Sequence, residues 1–231
     1  MTEFTDIFGE GDPTDEMKLD PELRLWVQDG PLGRMLNHPL VQQITIMWKP
    51  ANEMLRKKQE RVAKLTAEGK WEAAIFFYER PYRMTTLDIW WRSQRITREQ
   101  LHTILPIVWI DTEYPRQFGD IPKRLFREAR KIGLVTDIPD AESFALPREP
   151  FTVYRGVNRK RDGRGMSWTK SAAIADFFAL RLSRTGRGYV FACEATPDRI
   201  LGLFEGRGES EVVLDIHGLE IRFVSTVRKN A

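Results

Sequence analysis

The hydrophobic pattern of the chain changes at Pro150. Upstream, apolar residues recur at helical spacing, as in residues 51–68, which end at Gly69. Downstream, short runs rich in valine, isoleucine and phenylalanine are separated by glycine-containing turns, which is typical of β-strands. Because helices come first and strands follow, we predict an α+β protein, with a helical N-terminal region followed by a compact mixed or antiparallel β core.

Other stretches upstream of Pro150 also carry helix signals. Residues 71–79 are predicted to form a short helix. Residues 97–105 open with Thr-Arg-Glu-Gln, which fits a capping box, and Pro106 is expected to kink this helix. Residues 120–133 have an acidic start, an early proline, later basic residues and a final glycine, all typical of a helix.

After Pro150 the segments predicted to form strands are 151–156, 166–169, 188–195, 200–204, 211–216 and 219–227. Residues 171–183 are predicted to form a helix with a buried apolar face. The last two strands are expected to pair as a hairpin across His217 and Gly218.

Charge and proline content suggest the domain organisation. Residues 1–20 hold seven acidic residues and one lysine, and we expect a flexible acidic arm. Residues 21–95 form the helical region, which serves target recognition or core packing. Residues 96–231 form a second domain with its strand core at 151–227, and the proline-rich residues 138–150 are expected to be a linker or long loop.

Composition limits the function classes. The 36 basic and 33 acidic residues give a net charge of +3, which is weak support for nucleic-acid binding. Cys193 has no partner for an intrachain disulfide, and no apolar run suggests a membrane span, so we expect a cytoplasmic protein without a membrane partner. His38, His102 and His217 lie far apart without companion cysteines, and no metal site is expected.

An aromatic and basic cluster lies between residues 80 and 95. Tyr82, Trp90 and Trp91 stand among arginines, a mixture that can stack nucleic-acid bases. A helical core with a basic rim explains the same residues, and both interpretations stay open.

Three short motifs occur in strand-like settings after Pro150. Arg155-Gly156 ends the first strand with a guanidinium suited to a pyrophosphate. Ser167 and Thr169 place two hydroxyl groups on one strand face, and Glu209 and Glu211 place two carboxylates on one face of a later strand.

Together these motifs resemble the arginine–serine–glutamate class of mono-ADP-ribosyltransferases, which includes bacterial toxins and bacteriophage-encoded enzymes that modify host proteins. The resemblance covers residues 151–227, and the run from Gly165 through Thr169 looks especially like the phage and bacterial members. The interval of twelve residues between Arg155 and Ser167 is shorter than in the toxins. The resemblance implies that residues 96–231 are the catalytic domain and that NAD+ is the substrate.

The resemblance also implies roles for individual residues. Glu211 is expected to stabilise the positive charge that develops on the ribose, with Ser167 orienting it. Arg155 is expected to bind the NAD+ phosphates. Glu209 is expected to face the acceptor, which favours arginine on a target protein, and Thr169 to support the same strand as Ser167.

Further contacts to NAD+ are expected from Gly156, whose backbone meets the nicotinamide amide, and from Phe191 or Phe204, either of which is a candidate to stack on the nicotinamide. Residues 205–208 are expected to be a mobile target-recognition loop. Two alternatives remain: an inactive interaction protein that kept the fold, and a transferase or NAD glycohydrolase that acts on nucleic acid or water.

Overall fold

The computed structural model describes residues 12–138 and 147–229. Its helices and two β-sheets make it an α+β protein, as predicted. The chain divides into two units, Met1–Ile96 and Thr97–Ala231. Residues 1–11 of the predicted arm and 139–146 of the predicted linker lie outside the described residues. Among the residues described, no helix is long and apolar enough to cross a membrane.

The helices of the first unit are α1 (Pro21–Arg24), α2 (Trp48–Ala67), α3 (Trp71–Ile75) and α4 (Arg83–Arg92). Helix α2 begins before the predicted start, with Pro50 in its first turn, where a missing N–H is tolerated. Beyond its end, Gly69 has a φ of +73°, and the Lys70 N–H donates to the Leu65 carbonyl at 2.8 Å. This glycine terminus was predicted. Helix α3 is shorter than predicted, and α4 was not predicted.

The first unit also contains a sheet that the sequence analysis missed. Strands β1 (Val27–Gly30), β2 (Gly33–Asn37) and β3 (Gln42–Gln43) pair antiparallel in that order. Residues 21–95 are therefore a helical region, as predicted, to which this small sheet is added. These strands are mostly polar and lack the apolar runs that marked the strands after Pro150.

The core of the first unit draws on every part of it. Leu19 is only 2% exposed and packs with Leu23, Leu36 and Leu55, so this end of the predicted arm is part of the fold. Trp90 is also buried and meets other aromatic rings edge to face. Its ring is therefore a core element and is not available to stack on a base.

The helices of the second unit are α5 (Arg98–Ile110), α6 (Ile121–Ala129) and α7 (Ala172–Arg181). The capping box at Thr97 and Gln100 is confirmed, with both reciprocal hydrogen bonds present. Helix α5 continues through Pro106 for another turn, so the predicted end near residue 105 is wrong. Helix α6 ends four residues before Gly133, because residues 130–133 form a turn.

The second unit is built on a seven-stranded sheet in the order β10-β7-β5-β6-β9-β8-β4. Its strands are β4 (Val135–Thr136), β5 (Phe151–Val157), β6 (Ser167–Thr169), β7 (Arg187–Ala195), β8 (Ile200–Phe204), β9 (Glu211–Leu214) and β10 (Arg222–Arg228). Neighbours are antiparallel except for β4 and β8. Each of the six predicted segments contains a strand, whereas β4 was missed.

The predicted hairpin between the last two strands is wrong. Strand β9 pairs with β6 and β8, and β10 pairs with β7 at the other end of the sheet. The turn at His217 and Gly218 exists, with Gly218 at a φ of +79°. It leads the chain away from β9, so a local turn signal did not decide the strand pairing.

Helix α7 packs closely on strands β5 and β7. A Cβ on Gly156 would collide with the Ala175 carbonyl, and one on Gly188 would collide with the Ala179 carbonyl. Both glycines therefore let the helix backbone approach the sheet. The side chains of Val153, Trp168 and Val212 belong to another core cluster of the same sheet.

Candidate functional site

Glu211 occupies a central place in the large sheet. It is the first residue of β9, and its register partners are Thr169 on β6 and Phe204 on β8. The residue is only 6% exposed. A carboxylate in such a place is uncommon, because burial removes water from the charged form.

The two oxygens of the Glu211 carboxylate have different surroundings. Oε1 accepts a hydrogen bond from Nε1 of Trp109 at 3.2 Å. Oε2 is buried, and no described residue donates a hydrogen bond to it. Burial raises the pKa of Glu211, whereas interactions with Ser167, Arg207 and Trp109 act to lower it. The site thus presents a buried acceptor oxygen that a ligand hydroxyl can satisfy.

Ser167 and Thr169 lie on β6, the strand next to that of Glu211. Thr169 does more than support the strand. Its Oγ1 donates to the Glu209 carbonyl at 2.7 Å and accepts from the Ser171 N–H at 3.1 Å. Thr169 therefore fixes the main chain immediately before Glu211, while Ser167 interacts with the carboxylate itself.

Arg155 on β5 lies beside the start of β6. Its Nη1 donates to the Ser167 carbonyl at 2.6 Å, and its Nε donates to the Asp162 carbonyl at 3.3 Å. Burial lowers the pKa of Arg155 to about 10, and nearby Arg116 acts in the same direction, whereas Asp162 and Glu211 raise it. The guanidinium remains charged at neutral pH. Arg155, Ser167 and Glu211 are thus brought into one electrostatic neighbourhood.

Gly165 explains how the long side chain of Arg155 is accommodated. A Cβ at position 165 would lie 2.5 Å from Nη2 and 2.6 Å from Cζ of Arg155. Arg116 forms an ion pair with Asp162 and donates to the Arg164 carbonyl at 3.3 Å. A second guanidinium is thereby held near the first, which makes this edge of the site positively charged.

The other residues expected to contact NAD+ lie in different surroundings. Gly156 packs against helix α7, and this close packing is sufficient to require a glycine at the position whether or not a ligand binds there. Phe204 is 3% exposed and meets Phe126 at a ring-centroid distance of 6.3 Å, so it is a core residue. Phe191 is half-buried and contacts Phe223 edge to face at 5.8 Å. Of the two rings, Phe191 keeps more surface for stacking.

The loop before Glu211 is anchored at its start. Asp137 accepts hydrogen bonds from the N–H groups of Glu205 at 3.0 Å and Gly206 at 2.9 Å. The Gly208 N–H donates to the Glu205 carbonyl at 2.8 Å and closes a tight turn. These contacts define the turn that residues 205–208, the predicted target-recognition loop, adopt in the structure.

Glu209 and Glu211 share a cation that the sequence analysis did not assign. Nη2 of Arg207 lies 3.1 Å from Oε2 of Glu209 and 3.6 Å from Oε2 of Glu211. Both carboxylates therefore approach one guanidinium. The prediction that they share one strand face is wrong, because Glu209 precedes β9 and Ser210 between them has a φ of +45°. Arg207 acts to lower the pKa of Glu211, whereas the neighbouring Glu209 acts to raise it.

Trp109, Arg116, Asp137 and Arg207 are the residues that sequence reasoning missed. Three of them come from segments far from the strand motifs, and no local pattern links them to Glu211. Arg207 carries a usable signal, because it stands four residues before Glu211 in the same glycine-rich turn. In the described residues, no group of three or more histidine, cysteine, aspartate or glutamate side chains is arranged to hold a metal ion.

The site therefore combines a buried carboxylate, a hydroxyl beside it, two guanidinium groups at its edge and a second carboxylate on the adjoining turn. Comparison of the chain with protein-family models, with curated proteins and with solved structures gives no match.

Proposed function

We propose that the chain is a mono-ADP-ribosyltransferase that transfers ADP-ribose from NAD+ to arginine on a target protein and releases nicotinamide. The observation that carries this proposal is the Glu211 carboxylate, which is buried, oriented by Trp109 and left with an Oε2 that receives no hydrogen bond from the described residues. The resemblance implies that Ser167 and Arg155 act together with Glu211, and both side chains interact with it electrostatically.

Cleavage of the nicotinamide–ribose bond builds positive charge on the ribose. A carboxylate held in a site of low dielectric stabilises that charge more strongly than water does, because its orientation is fixed before the reaction. Oε2 of Glu211 is the acceptor for a ribose hydroxyl in this proposal. Oε1 stays bonded to Trp109, so the carboxylate does not rotate during the step.

Arg155 and Arg116 supply positive charge for the pyrophosphate. Nη1 and Nε of Arg155 are used by main-chain carbonyls, which fixes the plane of the guanidinium. A planar guanidinium in a fixed orientation suits a phosphate oxygen well. Arg116 adds a second cation whose position is held by Asp162.

Glu209 supports arginine as the acceptor. Its carboxylate already binds a guanidinium, that of Arg207, at 3.1 Å. The same carboxylate can orient an incoming arginine and take a proton from it. The similarity to phage and bacterial enzymes favours a host protein in the bacterial cytoplasm as the target.

The test is incubation of the purified protein with labelled NAD+ and a bacterial lysate. We expect label on protein arginine, and no label with Glu211→Gln. Released nicotinamide without labelled macromolecules would indicate an NAD glycohydrolase, and labelled nucleic acid would indicate a different acceptor. If neither label nor free nicotinamide appears, the proposal is wrong and a non-enzymatic interaction protein is the better interpretation.

A further inference from the structure

The guanidinium of Arg207 lies beside Glu209, where the proposed function expects the guanidinium of an acceptor arginine to bind. Its Nη2 atom lies 3.1 Å from Glu209 and 3.6 Å from Glu211, while its Nη1 donates to the Ile110 carbonyl at 3.1 Å. One nitrogen thus holds the guanidinium in place. The other faces both carboxylates.

The turn around Arg207 presents this side chain to the site. Asp137 holds the main-chain N–H groups of Glu205 and Gly206, and Gly208 adopts a φ of +65°, which an L side chain rarely allows. Arg207 therefore stands at the tip of a fixed turn between two glycines. Its side chain is 46% exposed, so a reacting sugar can reach it.

The second observation is on the carboxylate itself. Oε2 of Glu211 is buried and receives no hydrogen bond from the described residues, and the Arg207 nitrogen at 3.6 Å is beyond ordinary hydrogen-bond distance. A ligand hydroxyl reaches Oε2 only when the groups that cover this oxygen move aside, and it then binds without breaking a hydrogen bond. Arg207 can then stay on Glu209 while the ribose occupies Glu211.

We propose that Arg207 is an internal acceptor and that the protein ADP-ribosylates itself at this residue. This inference rests on the proposed function. Nη2 attacks the ribose C1′ of NAD+, the C1′–N bond to nicotinamide breaks, and its electron pair leaves with nicotinamide. The proton lost from Nη2 passes to Glu209. The products are ADP-ribosyl-Arg207 and nicotinamide, and no other reactant is needed.

An acceptor on the same chain has kinetic consequences. The reaction is intramolecular, so its first-order rate does not depend on protein concentration. A modified Arg207 also leaves an ADP-ribose group beside Glu209, where an external arginine is expected to bind. Transfer to an external acceptor should therefore slow as automodification proceeds.

The experiment incubates the full chain with NAD+ and follows intact mass, fragmentation of the peptide that contains Arg207, and transfer to agmatine as a small guanidino acceptor. We expect a mass gain of one ADP-ribose located on Arg207, at a rate independent of protein concentration. Arg207→Lys should lose this modification, and the matched control Arg184→Lys should retain it.

Two results would overturn the inference separately from the proposed function. If the wild-type protein modifies agmatine but Arg207 stays unmodified, Arg207 is no acceptor and the transferase proposal stands. If the first-order rate of Arg207 modification rises with protein concentration, one chain modifies another, and the inference of an internal acceptor is wrong. If the wild-type protein neither releases nicotinamide nor modifies agmatine, both proposals fail. Mapping on the wild-type protein makes each result independent of how the variants fold.

Discussion

Trp109 and Glu211 lie 102 positions apart in the chain, and the indole Nε1 of Trp109 donates a hydrogen bond of 3.2 Å to Oε1 of Glu211. This contact depends on the turn of α5 that continues beyond Pro106. It orients the carboxylate and leaves its other oxygen for a ligand.

Replacing Trp109 by phenylalanine keeps a large ring but removes the donor. A hydrogen bond to a charged group contributes about 1.5–3 kcal/mol, so we expect nicotinamide release to fall by about tenfold to a hundredfold. Trp109 helps to lower the pKa of Glu211, and its loss should raise that pKa further. The active form is the carboxylate, so the acid limb of the pH–rate profile should move to higher pH.

Trp71→Phe is the matched control for Trp109→Phe, because it changes a buried tryptophan of the other unit. An unchanged acid limb in Trp109→Phe would mean that the indole hydrogen bond does not influence the reacting carboxylate.

Glu211→Gln should stabilise the fold at neutral pH while removing activity. Burial raises the folded-state pKa of Glu211, so folding favours the protonated acid. The wild-type protein therefore loses stability as the pH rises from the unfolded pKa, about 4.3, through the folded pKa. Glutamine avoids this loss. An advantage of about 1 kcal/mol would raise the midpoint of thermal unfolding by about 2–4 °C.

Circular dichroism melts across the pH range measure this effect. The advantage of Glu211→Gln should shrink below a pH of about 4, where both proteins carry a neutral side chain. A lower unfolding midpoint for Glu211→Gln at neutral pH would contradict this prediction. It would show that the interactions of the ionised carboxylate outweigh the cost of burying its charge.

Asp137→Ala should release the turn that carries Arg207 and Glu209. The substitution removes the acceptor of two main-chain hydrogen bonds, and we expect a loss of about 1–3 kcal/mol in the free energy of unfolding. Transfer to arginine should fall more than NAD+ hydrolysis, because Glu209 moves while Glu211 stays on its strand. Asp198→Ala is the control, since Asp198 is exposed and pairs with Arg199 at the surface. Equal loss of both activities would argue against a separate acceptor side.

Gly156→Ala separates packing from NAD+ binding at this position. The added methyl group meets the main chain of α7, so we expect destabilisation of about 1–3 kcal/mol or more in chemical denaturation. Gly133→Ala is the control, because the nearest atom to its new Cβ would be Nε2 of His102 at 3.8 Å. If Gly156→Ala is as stable as the wild-type protein but binds NAD+ more weakly, the contact between Gly156 and the nicotinamide that the resemblance implies is supported instead.

Local sequence signals predicted most elements of the second unit but not their arrangement. The apolar segments of β5, β7 and β8 were recognisable because they are long or fully buried, and Thr97 marked the start of α5. The partners of β9 and β10 were not, because strand pairing depends on contacts between distant segments. Strands β1 to β3 are mostly polar, so they lack the apolar runs by which the later strands were recognised.

The same distinction applies to the site. The Ser-x-Thr spacing correctly put Ser167 and Thr169 on one strand, but it did not predict that Thr169 lies opposite Glu211 on the neighbouring strand. Trp109 and Asp137 reach the site from separate elements, and their contacts follow only from the tertiary fold. Phe204 was selected as an aromatic ring near the motif, but the register that pairs it with Glu211 also buries it.

The rate of nicotinamide release from NAD+ by the purified protein tests the role of Glu211 most directly. Wild type, Glu211→Gln and Glu209→Gln are compared by chromatography, with folding checked by circular dichroism. We expect release by wild type, loss of release in Glu211→Gln, and retained release without arginine transfer in Glu209→Gln. Release that is undiminished in a folded Glu211→Gln protein would contradict the account.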